Sequence, residues 1–536
     1  MSRTSLWRWV LALWALSTLC AIWLRPVTPI DETRYLTVAW EMRLAGDPWL
    51  PMLNGAPYSD KPPLLFWLIN SGWSMFGVSD VWPRLLTAAF GLGVLWLTAR
   101  CATLLCAERR NVAAIAALVL MATPLWLLFN GAVMFDVPLT FFVLAAAVGI
   151  LNMHGEGRCS QWIWVGLMLG LGMLTKGPTV LLHTLPLALL APVWKNSLEQ
   201  QRTSIFGTRA LGTGVPRTST RWWLWYRGVA LALLVSVLVL AVWLGPAIAK
   251  GGHEFLDQLI WQQTIDRMAT TTHHLRPVWF YVALLPALLF PWWLMPTGWR
   301  RTRGYGIESH ASSRQVLLRV IASWTLPVLV AFSLFRGKQL HYVFPLLPAW
   351  AVLIAAFLGD APAWARTNSL RGGVAVAFAV LAAGYGYIGW RMAGAYDVRP
   401  MSNVIAHLQR SRVPIAHIGR YHGQFQFAGR LRQPLPIVRT REEWQAFVAA
   451  NPESYLIAYF KEKAPDDALF TQKFRSGWVS LLRVECGLAP NSALGALSII
   501  DVDRNDSLTL ERVARWITAR NGPRQTGICV MKGSRR

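Results

Sequence analysis

Charge is what this chain has least of. Only 15% of its 536 residues are Asp, Glu, Lys or Arg, against 54% hydrophobic residues, and the mean hydropathy is +0.36. So few charges cannot cover so much apolar surface in water, which excludes a soluble globular protein. Cysteine is also scarce. Cys20, Cys101, Cys106, Cys159, Cys486 and Cys529 form no Cys-x-x-Cys pair and no Cys/His metal spacing, which excludes a thiolate zinc module. Acids are the rarer charge, 27 against 52 Lys and Arg, giving a net charge of +25 and a pI of about 10.6. No basic–aromatic module of the RNA- or DNA-binding type accompanies that charge, so nucleic acid is not an expected partner. No long internal repeat or low-complexity tract stands out.

Long apolar runs are what the chain has instead. Runs of about 18 or more apolar residues read as membrane-crossing helices. Candidate spans are 6–24, 85–105, 112–130, 137–151, 161–174, 178–194, 228–249, 278–298, 317–335, 342–358 and 372–391, about eleven. The pair around "TKGP" at 175–178 reads either as two spans or as one kinked hairpin arm. Thirty Trp agree, since the indole favours the membrane–water interface. The N-terminus is basic, then apolar, with no clear small-residue cleavage site, so an uncleaved first helix starting in the cytoplasm is expected. Loops 195–227 and 299–316 then fall in the cytoplasm. They carry Lys195, Arg202, Arg209, Arg217, Arg221 and Arg227, and Arg300, Arg301, Arg303 and Arg314, as the positive-inside rule requires. The opposite side receives 25–84, 131–136, 175–177, 250–277, 336–341 and the C-terminal region.

Charges clustered at one membrane edge read as a site, and almost all the chemically interesting ones fall on that extracytoplasmic side. Asp31 and Glu32 follow the first apolar run and precede Arg34 and Tyr35. A carboxylate there either takes a proton from an acceptor hydroxyl, holds a cation, or merely decorates a helix boundary. Tyr58, Asp60 and Lys61 stand before Pro62 and Pro63, which fix the loop. Lys61 either meets a phosphate or snorkels to the headgroups. Asp136 and Lys176 each occupy a very short loop between apolar helices. Arg267 suits a two-pronged grip on a phosphate. The adjacent His273 and His274 leave a divalent metal open as a cofactor, although a neighbouring pair in an irregular loop is a poor metal site. Arg336, Lys338, His341 and Tyr342 suit anion binding or interfacial anchoring. Together these residues supply cations for a departing phosphate and acids for an acceptor.

After about residue 393 the pattern changes to short apolar runs and turn residues. "YLIAYF" and "ALSIIDV" read as strands, and "REEWQAFVAA" and "LERVARWITA" as amphipathic helices. A small extracytoplasmic α/β domain over 393–536 is expected, following a transmembrane domain over 1–392 whose catalytic loop is 25–84. On that side Cys486 and Cys529 are either a disulfide or two separate thiols.

Six segments carry a family resemblance: "DETRY" at 31–35, "GDPWLPMLNGAPYSDKPPLLFW" at 46–67, "FDVPLT" at 135–140, "TKGP" at 175–178, "HHLRPVWFY" at 273–281 and "GKQLHYVFPLLPAW" at 337–350. In this order they resemble the integral-membrane glycosyltransferases of the GT-C class, specifically the aminoarabinose lipid A transferase group, related to protein O-mannosyltransferases. The resemblance implies an α-helical polytopic GT-C fold in the bacterial inner membrane, with periplasmic chemistry. It implies an undecaprenyl-phosphate-linked sugar donor, lipid A or another envelope acceptor, and inverting transfer among membrane lipids. Asp31 matches the family's first-loop acid and Asp136 its second-loop acid. Lys61 and Arg267 match donor-phosphate positions, where Arg34 and Lys338 join them. Glu32, Tyr35, Tyr58, Asp60, Lys176, His341 and Tyr342 complete the expected pocket. The family usually has Glu where Asp60 stands, and the Glu-His that precedes its arginine is missing from "WQQTIDRM". A protein-hydroxyl acceptor is the alternative within the class. A lipid-linked sugar flippase is the alternative outside it, though midplane charges and repeats are wanting.

Overall fold

The computed structural model describes residues 2–109, 111–210, 220–259, 276–294, 307–335, 337–462, 468–486 and 529–531. The chain forms two compact units: residues 1–23 with 59–385, and residues 24–58 with 386–536. Most of the first loop thus belongs with the C-terminal residues.

The first unit is helical. Its early helices are α1 (Arg3–Trp23), α3 (Leu64–Phe76), α4 (Val81–Leu105), α5 (Val112–Met121), α6 (Pro124–Phe129), α7 (Asp136–Leu151), α8 (Cys159–Lys176), α9 (Thr179–Leu189), α10 (Ala191–Ala210) and α11 (Trp222–Asp257), with α2 (Asp31–Ala45) in the second unit. Six helices among the described residues are long and apolar enough to cross a membrane: Arg3–Trp23, Val81–Leu105, Trp222–Asp257, Ser313–Leu334, Leu340–Gly359 and Ala363–Trp390. α3, α5, α7 and α9 are apolar but shorter. The expected span 112–130 is two helices because Thr123 is extended (φ −75°, ψ 122°) and Pro124 opens the next turn. Close helix contact has its own signature. A Cβ on Gly166 would lie 2.6 Å from Ala232 O, and one on Gly170 2.5 Å from Val239 Cβ, so α8 and α11 meet across a small-xxx-small stripe.

Two arginines of this unit are structural. Arg84, buried in α4, donates Nη1 to the carbonyls of Ala21 and Ile22, where α1 leaves acceptors unsatisfied. Arg109 grips Asp360 through Nε (2.8 Å) and Nη2 (3.2 Å), with Arg314 at 3.1 Å. Burial alone would raise the Asp360 pKa, but these hydrogen bonds outweigh it and hold the carboxyl below the usual range.

The second unit is built on a mixed sheet of β3 (Ile415–Ile418), β4 (Ile437–Val438), β5 (Ser454–Phe460), β6 (Phe470–Phe474), β7 (Gly477–Cys486) and β8 (Cys529–Met531), after the hairpin β1 (Met52–Leu53) and β2 (Ala56–Pro57). The sheet order is β4-β3-β5-β7-β6, with β8 also on β7. β3 runs parallel to β4 and β5, and the other pairs are antiparallel. The backbone register sets Cys486 opposite Cys529. The expected strand "YLIAYF" is within β5, and "REEWQAFVAA" is the helix Arg441–Ala450. That helix starts at a capping box in which Thr440 Oγ1 accepts from Glu443 N at 3.2 Å and Glu443 Oε2 from Thr440 N at 3.2 Å. "ALSIIDV" and "LERVARWITA" lie outside the described residues. The helix Arg399–Arg410 buries Met401 and Ile405 against Phe425, Ile457, Tyr459 and Leu481.

His417 sits fully buried in this core, with Nε2 3.0 Å from Tyr459 Oη. Burial pushes its pKa down to about 3. The unfolded chain takes up that proton near pH 6.5 while the folded chain refuses it. Stability from this group is therefore complete above 6.5. It is lost as pH falls, by about 1 kcal/mol per unit until pH reaches about 3. Amide exchange of β3 and β5, compared at pH 7 and pH 5 after correction for intrinsic rates, should show this loss. His417→Gln should flatten it, and an unchanged slope in that variant would count against the assignment.

Candidate active site

The sequence places two acids side by side, and the structure gives them opposite surroundings. Asp31 and Glu32 open α2, where acidic side chains complement the helix dipole. Glu32 is 2% exposed. It pairs with Arg25 and accepts the Thr28 N–H at 3.0 Å, so it folds the entering chain back onto the helix. Asp31 faces outward with its side chain 48% exposed. Arg34 Nη2 donates to Asp31 Oδ1 at 2.5 Å, and Tyr35 Oη lies 3.5 Å from the same oxygen. The Arg34 guanidinium also lies 5.5 Å from the Tyr35 ring centre. This leaves one carboxylate that is open, oriented and reachable. Tyr58, buried, ends this segment with its N–H on Pro51 O at 2.8 Å.

The first unit holds a second acid. Asp136 begins α7 and is 1% exposed. Lys176 ends α8 and donates to Asp136 Oδ1 at 2.7 Å. Each charge suits the end of its own helix, so the pair is favoured twice. The Lys176 ammonium also lies 5.8 Å from the Tyr342 ring centre. His341 and Lys61 act on Asp136 electrostatically. Lys61 is half-buried and donates to Asp60 O at 3.1 Å. The structure therefore brings Lys61, Asp136, Lys176, His341 and Tyr342 into one neighbourhood. Lys338 is buried, donating to Arg276 O at 3.0 Å and Phe335 O at 2.5 Å.

Sequence reasoning missed one member of this neighbourhood. His183 in α9 is fully buried, its ring 5.4 Å from Phe332, with Lys176 and Asp136 acting on it electrostatically. An imidazole inside an apolar run was the available signal. Arg267, His273, His274 and Arg336 lie outside the described residues. Among the described residues no group of three His, Cys, Asp or Glu is placed to hold a metal.

A polytopic helical unit followed by a small sheet unit sets the fold class. The fold is that of the GT-C membrane glycosyltransferases, and it is shared with ArnT from Cupriavidus metallidurans, whose crystal structure is bound to undecaprenyl phosphate. The TM-score is 0.63 at 17% identity, over 90% of this chain and 98% of that one. A family model described as dolichyl-phosphate-mannose-protein mannosyltransferase matches residues 60–216. The particular relatives are undecaprenyl phosphate-alpha-4-amino-4-deoxy-L-arabinose arabinosyl transferases. One from Pseudomonas fluorescens is 30% identical over 385 residues, 69% of this chain and 59% of its own. One from Serratia proteamaculans is 26% identical over 348 residues, 63% of this chain and 56% of its own. The resemblance read from the motifs thus holds, while the chain spans under two thirds of the length of these two relatives.

Proposed function

We propose that this chain is an inverting glycosyltransferase of the periplasmic face of the bacterial inner membrane. It takes a sugar, first candidate 4-amino-4-deoxy-L-arabinose, from undecaprenyl phosphate to lipid A or a related envelope acceptor. The observation that carries this reading is the Asp31 carboxylate, half-open at the head of α2 and steered by Arg34 and Tyr35. Asp31 orients the acceptor nucleophile or takes its proton as the acceptor oxygen attacks the anomeric carbon. The bond from that carbon to the phosphate oxygen breaks, and its electron pair leaves with the phosphate. Lys61, with Arg34, Arg267 and Lys338, neutralises that departing charge. Asp136, held by Lys176, serves the acceptor with Asp60, His341 and Tyr342 in the first unit, as Tyr35 and Tyr58 do beside Asp31 in the second.

The test is transfer by the purified protein from synthetic polyprenyl-phosphate sugars, with product mass read out. Lipid A gaining one aminopentose is the expected product. A glycosylated hydroxyl peptide would favour the protein acceptor that the mannosyltransferase model suggests. Sugar lipid crossing the bilayer without any transfer would replace the enzyme with a flippase. Repeating the assay with a chelator tests the divalent metal.

A further inference from the structure

Within the second unit the first-loop segment is fastened to the sheet domain by side-chain hydrogen bonds. Thr37 Oγ1, on α2, donates to Gly423 O at 2.6 Å and accepts the Phe427 N–H at 3.3 Å. Trp40 Nε1, one turn further on, donates to Leu431 O at 2.8 Å. A third attachment runs through the β1–β2 hairpin. Its turn is Asn54–Gly55, both left-handed (φ 55° and 76°), a pairing that suits a two-residue hairpin. Glu41 of α2 accepts both turn N–H groups, at 2.7 and 2.9 Å, which locks the hairpin to the helix. The Asn54 amide reaches the other way. Its Oδ1 accepts from Leu435 N at 2.8 Å and Gln426 Nε2 at 2.7 Å, and its Nδ2 donates to Leu435 O at 2.9 Å. Asn54 thus pairs with the Leu435 main chain much as a neighbouring strand would.

The packing around these bonds leaves no slack. A Cβ on Gly423 would lie 2.6 Å from Leu53 Cδ1, and one on Gly55 2.7 Å from Pro434 Cγ. Asp31 heads the same unbroken helix as Thr37, six residues earlier, or about 9 Å along the axis. A helix that short moves as a rod, so whatever fixes Thr37, Trp40 and Glu41 also fixes Asp31.

We propose that the sheet domain is a positioning module for the reaction, setting through Asn54, Thr37 and Trp40 where α2 presents Asp31. The inference rests on the reading of Asp31 given above. Loosening the mount displaces Asp31, and Arg34 with it, while leaving the Lys61 and Lys176 region intact, so turnover falls by far more than donor binding does. A residue that only stabilised the fold would lower the amount of folded enzyme and leave its turnover alone.

The test uses the full chain in lipid nanodiscs. Asn54→Gly keeps the left-handed turn and removes only the amide, and Thr37→Val removes only the hydroxyl. In each, kcat per folded enzyme should fall about 10- to 100-fold, a larger change than any rise in donor KM from the displaced Arg34. Amide exchange of residues 31–45 should rise, while that of β3 and β5 stays as it was. Wild-type kcat, or unchanged exchange in α2, overturns the proposal. If the wild-type protein transfers no sugar at all, the functional reading fails. The exchange result, read on the protein alone, then decides whether the sheet domain mounts this helix.

Discussion

Asp31→Asn should cut sugar transfer about 10²- to 10⁴-fold, the range over which a positioned general base acts, and should leave the protein folded. The side chain is half-exposed, so the amide needs no new cavity and meets no new desolvation. It forfeits the charge at the helix start, worth about 0.3–1 kcal/mol, and weakens the bond from Arg34. Glu32→Gln, one residue later, should behave in the opposite way. Its carboxylate is buried against Arg25 and the Thr28 N–H. Breaking such a pair costs about 3–5 kcal/mol when one charge is left behind, with the isosteric amide at the low end. Thermal melting and transfer rate measured on both variants separate the two acids: normal melting without transfer for Asp31→Asn, lowered melting for Glu32→Gln. An Asp31→Asn enzyme working at the wild-type rate would remove Asp31 from the chemistry.

That contrast also marks where sequence reasoning reaches its limit. Apolar run length located the six membrane-length helices, because burial in a bilayer constrains composition over many residues at once, but not α3, a 13-residue apolar helix inside the 25–84 segment. Likewise β5 and the helix Arg441–Ala450 were legible from local alternation and capping. Asp31 and Glu32 were not separable, because their difference lies in which one Arg25 reaches. Nor was Arg84 legible as structural: its partners are main-chain carbonyls of α1, about sixty residues away. Within the expected loop 25–84, α2 leaves no stripe to betray a helix, because its buried residues face every direction. The Asn-Gly at 54–55 was a hairpin signal in plain view. Its purpose was not visible, since Leu435 stands 381 residues further along the chain. Long-range hydrogen bonds of this kind leave no periodic trace in the sequence.

The Asp136–Lys176 pair should give a large and asymmetric stability effect in the first unit. Lys176→Met leaves Asp136, 1% exposed, with His341 and Lys61 as its counter-charges among the described residues. Removing one partner of a buried pair costs about 3–5 kcal/mol, and this variant should sit at the high end. Asp136→Asn leaves the ammonium, whose side chain is 12% exposed and close to the Tyr342 ring, so the orphaned charge finds some water and a π face. Its loss should be smaller. In the double variant Asp136→Asn/Lys176→Met no charge is stranded, so melting should recover above the Lys176→Met single, a coupling of about 1–3 kcal/mol. Transfer should not recover with it, because the neutral pair no longer shapes the acceptor side. Additive losses across the cycle would mean that the two side chains do not act as a pair. Full transfer by the stable double variant would make the pair purely structural and confine the chemistry to Asp31 and the phosphate-binding cations.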